Sequence, residues 1–182
     1  PQLEQILQHL QPRFPYLSAA ARTAAGIAAD PGSSASGELE EWPDAAQHVR
    51  VYRPRLLLLG RPGMGQDQLA PAVLHALEGC QIFPIDLATL FGDGNSKMLE
   101  ETVIKQIRAA AAASPAVLYM PHCDRWWKSM GESIQYALMS ALQDLPPSCP
   151  VLLLATSESP MAALHPEIKR QFYGKSFELS DA

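Results

Sequence analysis

Residues 56–67 read L-L-L-L-G-R-P-G-M-G-Q-D: an unbroken apolar run, a glycine-rich turn, then the start of a helix-patterned stretch. An apolar run with no alternation suits a strand buried on both faces, which in practice means a parallel sheet under helices. Gly60 and Gly65 have the spacing of the phosphate-binding consensus G-x-x-x-x-G-K-[ST], with Gly63 between them. Gln66 stands where that consensus has lysine, and Asp67 where it has the hydroxyl that holds Mg²⁺. The frame of a nucleotide-binding loop is present, and the residues that touch phosphate are not. The expected use is therefore something other than ATP hydrolysis. Taken alone, the glycine spacing is equally met by a plain strand-to-helix turn.

In a working loop the backbone N–H groups wrap the phosphates and the helix N-terminus adds partial positive charge. Gln66 can donate a hydrogen bond but brings no charge. Charge-assisted bonds contribute about 1.5–3 kcal/mol against roughly 1 for neutral ones, so losing the lysine alone weakens binding about tenfold or more. Asp67 sets a carboxylate beside the phosphate position. As a first-turn acid it suits the helix dipole, and it is expected to fill part of the anion site itself.

Helical spacing of Leu3, Ile6, Leu7 and Leu10 predicts an amphipathic helix over Pro1–Gln11, ended by Pro12 and Pro15. The alanine-rich stretch Ser18–Ala29 continues as helix, making 1–29 an N-terminal helical segment. Polar, turn-forming text from Asp30 to Pro43 marks 30–49 as a flexible linker. The remaining 50–182 alternates strands (Arg55–Leu59, Gln81–Leu87, Ala116–Met120, Val151–Ala155, Ser176–Leu179) with helices (Gln66–Leu77, Met98–Ala113, Glu132–Gln143). Pro71 is expected in a first turn, where proline is tolerated. The pattern is that of an α/β fold with a five-stranded parallel sheet flanked by helices.

The 182 residues, 47% hydrophobic and 18% charged, suit one domain with a sizeable core. Net charge is −5 and no Lys/Arg stripe is visible, so direct DNA binding is not expected and basic partners are favoured. No apolar run reaches membrane-spanning length, no signal peptide is visible, and the start at Pro1 without Met reads as a fragment. Cys80, Cys123 and Cys149 are odd in number and widely spaced, which points to buried thiols in a reducing compartment. His122, Cys123 and Asp124 are adjacent, but neighbours rarely converge on one ion. With no second ligand cluster in the sequence, no metal site is expected.

The segment R-P-R-L-L-L-L-G-R-P-G-M-G-Q (53–66) resembles the large subdomain of AAA+ ATPases, as do L-A-P-A-V-L-H-A-L-E (69–78), V-L-Y-M-P-H-C-D-R-W-W (117–127) and V-L-L-L-A-T-S (151–157). More narrowly, it is similar to the second, degenerate AAA+ module of the bromodomain-containing nuclear AAA+ ATPases that act as histone chaperones. The likeness covers roughly Arg50 to Asp181, and Pro1–Pro15 resembles the segment leading into that module. The resemblance implies that the third strand should end in Asp-Glu, one assisting Mg²⁺ and one activating water. Pro121 and His122 stand there instead. It implies a polar sensor after the fourth strand, where Ser157 is either a shortened sensor or a strand-end turn residue. Arg170 is either a trans-acting arginine finger or a surface arginine.

By the same resemblance, Phe91 and Gly92 match the aromatic-glycine pair of a loop that grips polypeptide in a hexamer pore; Asp93, Glu100 and Glu101 are either an acidic lining suited to basic histone tails or ordinary helix-start acids. A phenylalanine buried against the sheet fits as well. Trp126 and Trp127 read as packing or subunit-interface residues. The chain stops at 177–181, where the helical lid would begin, so a large subdomain with the lid absent is expected.

The resemblance and the substituted residues together imply a catalytically inactive module that stabilises a hexameric, ATP-driven histone H3–H4 chaperone in the nucleus. ATP and Mg²⁺ would be used by another AAA+ module of the parent protein, and this module would hold no cofactor. The alternatives are a nucleotide-binding or weakly active ATPase domain with non-consensus residues, and a plain adaptor that forms no ring.

Overall fold

The computed structural model describes residues 2–27, 53–92 and 99–179. A five-stranded, all-parallel sheet forms its centre, built from β1 (Arg55–Leu59), β2 (Gln81–Pro84), β3 (Ala116–Met120), β4 (Val151–Ser157) and β5 (Ser176–Glu178), in the order β2-β3-β4-β1-β5. The helices are α1 (Gln2–Leu10), α2 (Ala19–Ala24), α3 (Gln66–Ala76), α4 (Leu87–Phe91), α5 (Leu99–Ala112), α6 (Cys123–Trp126), α7 (Glu132–Gln143) and α8 (Pro166–Phe172). No helix among the described residues is long and apolar enough to cross a membrane.

The apolar runs explain the layering. Successive strand side chains point to opposite faces, and in β1 both faces are buried. Leu56 and Leu58 pack with α1 and α3 residues such as Ile6, Leu10 and Val73. Leu57 and Leu59 pack with Val103, Ile107, Leu138 and Ile168 from α5, α7 and α8. The N-terminal segment belongs to the first of these layers: Phe14 and Leu17 are buried in it, and the Ser18 N–H donates to the Ala76 carbonyl at 2.8 Å.

Several expected boundaries move. β2 ends at Pro84 instead of Leu87, because the Asp86 side chain accepts from the Thr89 N–H at 2.6 Å and caps α4. β4 runs on to Ser157, with Thr156 and Ser157 both buried in the strand. Pro71 is the sixth residue of α3, not a first-turn proline, and costs the helix the bond that would reach back to the Asp67 carbonyl. α2 is limited to Ala19–Ala24 with Ser18 as its cap. The linker at 30–49, Ala28–Ala29, Asp93, Gly94 and Met98 lie outside the described residues.

Charge is also less dispersed than the linear text suggests. Arg55 is buried at the start of β1, and burial, aided by Arg53, lowers its pKa to about 10. Lys175 is pushed down by burial and then by Arg55, Arg13 and Arg53. These four basic residues lie close enough to interact at the N-terminal end of β1, opposite the C-terminal strand ends.

Candidate functional site

In parallel sheets, ligands bind outside the carboxyl ends of the strands. Here β1, β3 and β4 pair in register so that Leu59 lies beside Ser157, and Met120 beside Ala155. The loop from β1 to α3 lies over this end. Gly63 (φ 86°) and Gly65 (φ 95°) adopt left-handed backbone, which glycine supplies at least cost. The loop therefore keeps the turn of a phosphate-binding loop.

Its interior is filled by its own chain. Gln66 is 1% exposed. Its Nε2 donates to the carbonyls of Gly60 (3.3 Å) and Arg61 (3.1 Å). A Cβ built on Gly60 would meet Gln66 Oε1 at 2.8 Å, so the amide lies against the start of the loop. Oε1 has no hydrogen-bond partner among the described residues. The sequence alone suggests Gln66 facing a phosphate as a weak donor and Asp67 filling the anion site. The geometry reverses this: Gln66 folds into the loop, and the Asp67 side chain is 60% exposed, with Oδ1 3.3 Å from His122 Nε2. The reason is that a neutral amide finds two carbonyl acceptors inside the loop, whereas a carboxylate there would meet acceptors only.

The remaining positions are also engaged elsewhere. The Pro121 carbonyl accepts from Trp126 Nε1 at 2.6 Å. His122 has left-handed backbone (φ 47°), and its N–H donates to Thr156 Oγ1 at 2.9 Å. Ser157 Oγ donates to the Ser159 carbonyl (2.9 Å) and accepts from the Ser159 N–H (3.0 Å), so the sensor-position hydroxyl is spent on a local turn. Asp124 accepts from Ser159 Oγ at 2.8 Å. Cys123 is fully buried, and burial, then Asp124, pushes its thiol up to about 12, which removes it as a nucleophile. Trp126 and Trp127 are both buried, which settles them as packing residues of this chain. Arg170 is exposed and paired with Glu167 at 3.6 Å.

Two participants carried no signal in the sequence. Glu158, just past β4, pairs with Arg125, just past β3, and together with Asp67 and His122 they form a charged cluster at the strand ends. An acid after a strand is ordinary text, and only the fold gathers these residues. Nearby Tyr119 has its hydroxyl pKa raised by burial first and then by Asp67 and Asp86.

A cleft of about 600 Å³ opens beside the loop, lined by Gly60, Arg61, Met64, Glu158, Glu178 and Leu179 among others. Arg61 and Glu158 bring opposite charges to its wall, and Asp67 lies outside its lining. The Gln66 amide lies inside the loop, no lysine follows Gly65, and Glu158 presents negative charge to the cleft. Phe91 lies away from this cleft, at the end of α4 instead of in a loop, and is 47% exposed; it is not buried against the sheet. Glu100 and Glu101 are exposed on the first turn of α5, where Glu100 accepts from Ser133 Oγ.

The family model for the ATPase family associated with various cellular activities (AAA) matches residues 56–179. The chain is 42% identical over 140 residues to "ATPase family AAA domain-containing protein 2" of Mus musculus, covering 75% of this chain and 13% of that protein. It is 31% identical over 138 residues to the "ATPase histone chaperone abo1" of Schizosaccharomyces pombe, covering 76% of this chain and 12% of that protein. It is 28% identical over 119 residues to the "ATPase histone chaperone YTA7" of Saccharomyces cerevisiae, covering 65% and 9% respectively. The chain thus matches only a small part of the length of each relative.

Proposed function

This chain belongs to the AAA family of ATPases, and on that premise we propose that it is a module that does not hydrolyse ATP and serves the architecture of a histone-chaperone assembly. The observation that carries this reading is the buried Gln66 side chain, which occupies the loop where a nucleotide's phosphates would lie. Pro121 and His122 add to it by standing where the resemblance implies Asp-Glu, and Ser157 adds to it because its hydroxyl is engaged within the fold. In this reading ATP and Mg²⁺ act at another AAA module of the parent protein, and this module holds no nucleotide.

The partners are inferred from the relatives named as histone chaperones: histones H3–H4 as clients, a nuclear location, a bromodomain in the parent, and a homo-hexameric ring in which this module supports assembly. Phe91 supplies the pore contact, with Gly92 giving the chain freedom beside it. Its exposed ring at the end of α4 supports this role. In the parent protein, Phe91→Ala is expected to reduce H3–H4 engagement severalfold while ring assembly and ATP turnover stay unchanged. Undiminished H3–H4 engagement would remove Phe91 from the pore.

A second reading, a nucleotide-binding or weakly active ATPase with non-consensus residues, draws support from the cleft of about 600 Å³ beside the loop. Nucleotide titration separates the two.

A further inference from the structure

We propose that Asp67, His122 and Glu158 form a binding site for a divalent transition metal ion of the Zn²⁺ class, one that needs no nucleotide. The expectation of no metal rests on the lack of a second ligand cluster in the sequence. The fold assembles one by bringing together the first turn of α3, the end of β3 and the residue after β4. Each residue offers one ligand atom, and all three atoms lie within 4.8 Å of one another.

The His122–Asp67 separation suits an ion better than a hydrogen bond. His122 Nε2 and Asp67 Oδ1 are 3.3 Å apart. A charge-assisted N–H···O contact prefers about 2.7–2.9 Å. Two ligands on a tetrahedral zinc, with bonds of about 2.0–2.1 Å, stand about 3.3 Å apart. His122 Nδ1 is buried, which leaves Nε2 as the nitrogen open to a ligand. The Asp67 side chain is exposed and the His122 side chain partly so, which gives an ion a way in and gives Asp67 room to adjust its reach by rotation.

Donor type and charge select the ion. One imidazole with two carboxylates favours Zn²⁺, Ni²⁺ or Co²⁺; Mg²⁺ is held by oxygen ligands and usually by substrate phosphate. Asp67, Glu158 and nearby Asp124 outnumber Arg125, which pairs with Glu158. Glu158 is held by Arg125, whose side chain is largely exposed. An ion would take the place of that guanidinium, which can swing into solvent from its exposed end while Glu158 stays largely buried. Three protein ligands leave a fourth position for water. The ion would tie α3 to the ends of β3 and β4, the connection that Mg²⁺ and nucleotide make in a working loop.

The site stands whether or not nucleotide binds, so it is tested without nucleotide. Zn²⁺ is titrated by calorimetry into the chelator-stripped chain, and Co²⁺ is followed by its visible absorption. One ion per chain is expected at micromolar affinity or tighter, with Mg²⁺ unable to compete. Asp67→Asn, His122→Gln and Glu158→Gln should each weaken binding by at least about tenfold, with metal-free circular dichroism unchanged. Arg125→Gln should tighten it, because Glu158 is released. No saturable binding, or equal affinity in wild type and His122→Gln, would overturn the site.

Discussion

Replacing Trp127 with alanine is expected to cost about 3–5 kcal/mol of stability, the range for emptying a large aromatic site in a packed core. Trp127 is 1% exposed and among the largest fully buried side chains. Its ring lies 6.3 Å from that of Trp126 and 5.9 Å from that of His165, so the cavity would open between the segment after β3 and the start of α8. The two tryptophans differ in one respect. Trp126 Nε1 donates to the Pro121 carbonyl, whereas Trp127 Nε1 is buried with no partner among the described residues. An unsatisfied buried donor costs about 1–3 kcal/mol. Trp127→Phe removes that donor along with some volume, and its net effect should stay within about 1.5 kcal/mol. Trp126→Phe, which strands the Pro121 carbonyl, should cost more. Urea unfolding of the three variants measures the order. If Trp127→Phe costs as much as Trp127→Ala, the orphaned indole is not what distinguishes the site.

Gly60→Ala is expected to cost about 1–3 kcal/mol, a typical penalty for an added methyl in filled space. The backbone of Gly60 is not left-handed, so the penalty comes from contact alone: the new Cβ would meet Gln66 Oε1 at 2.8 Å and Leu179 Cδ1 at 3.0 Å. In a Gln66→Ala background the nearer atom is gone, and the same change should cost well under half as much. Neighbouring residues in contact couple by about 0.5–3 kcal/mol, and the cycle of the two substitutions reads that coupling directly. Additive costs would mean that the Gln66 side chain lies outside the loop in solution.

The sheet was legible because its strands are written without alternation. Leu56–Leu59 and Val151–Ala155 can be buried on both faces only in a sheet covered on both sides. The ends of elements were less legible, because capping overrides apolar continuity. Leu87 prolongs the apolar text of β2, yet the Asp86 carboxylate starts a helix there. Within the site, the missing lysine could be read from the glycine spacing, and the missing Asp-Glu pair from the family resemblance. What replaced them could not be read. Spacing locates Gln66 beside the loop but does not say whether its amide faces outward to a ligand or inward to the Gly60 and Arg61 carbonyls. Asp67, His122 and Glu158 come from three separate connections, and nothing local in the sequence links them.

We propose that this loop does not take nucleotide. Calorimetric titration of ATP and ADP into the chain, each with and without Mg²⁺, tests it most directly. A filled loop without lysine predicts no saturable heat up to millimolar nucleotide and no difference on adding Mg²⁺. Micromolar binding that depends on Mg²⁺ and is accompanied by turnover would contradict it.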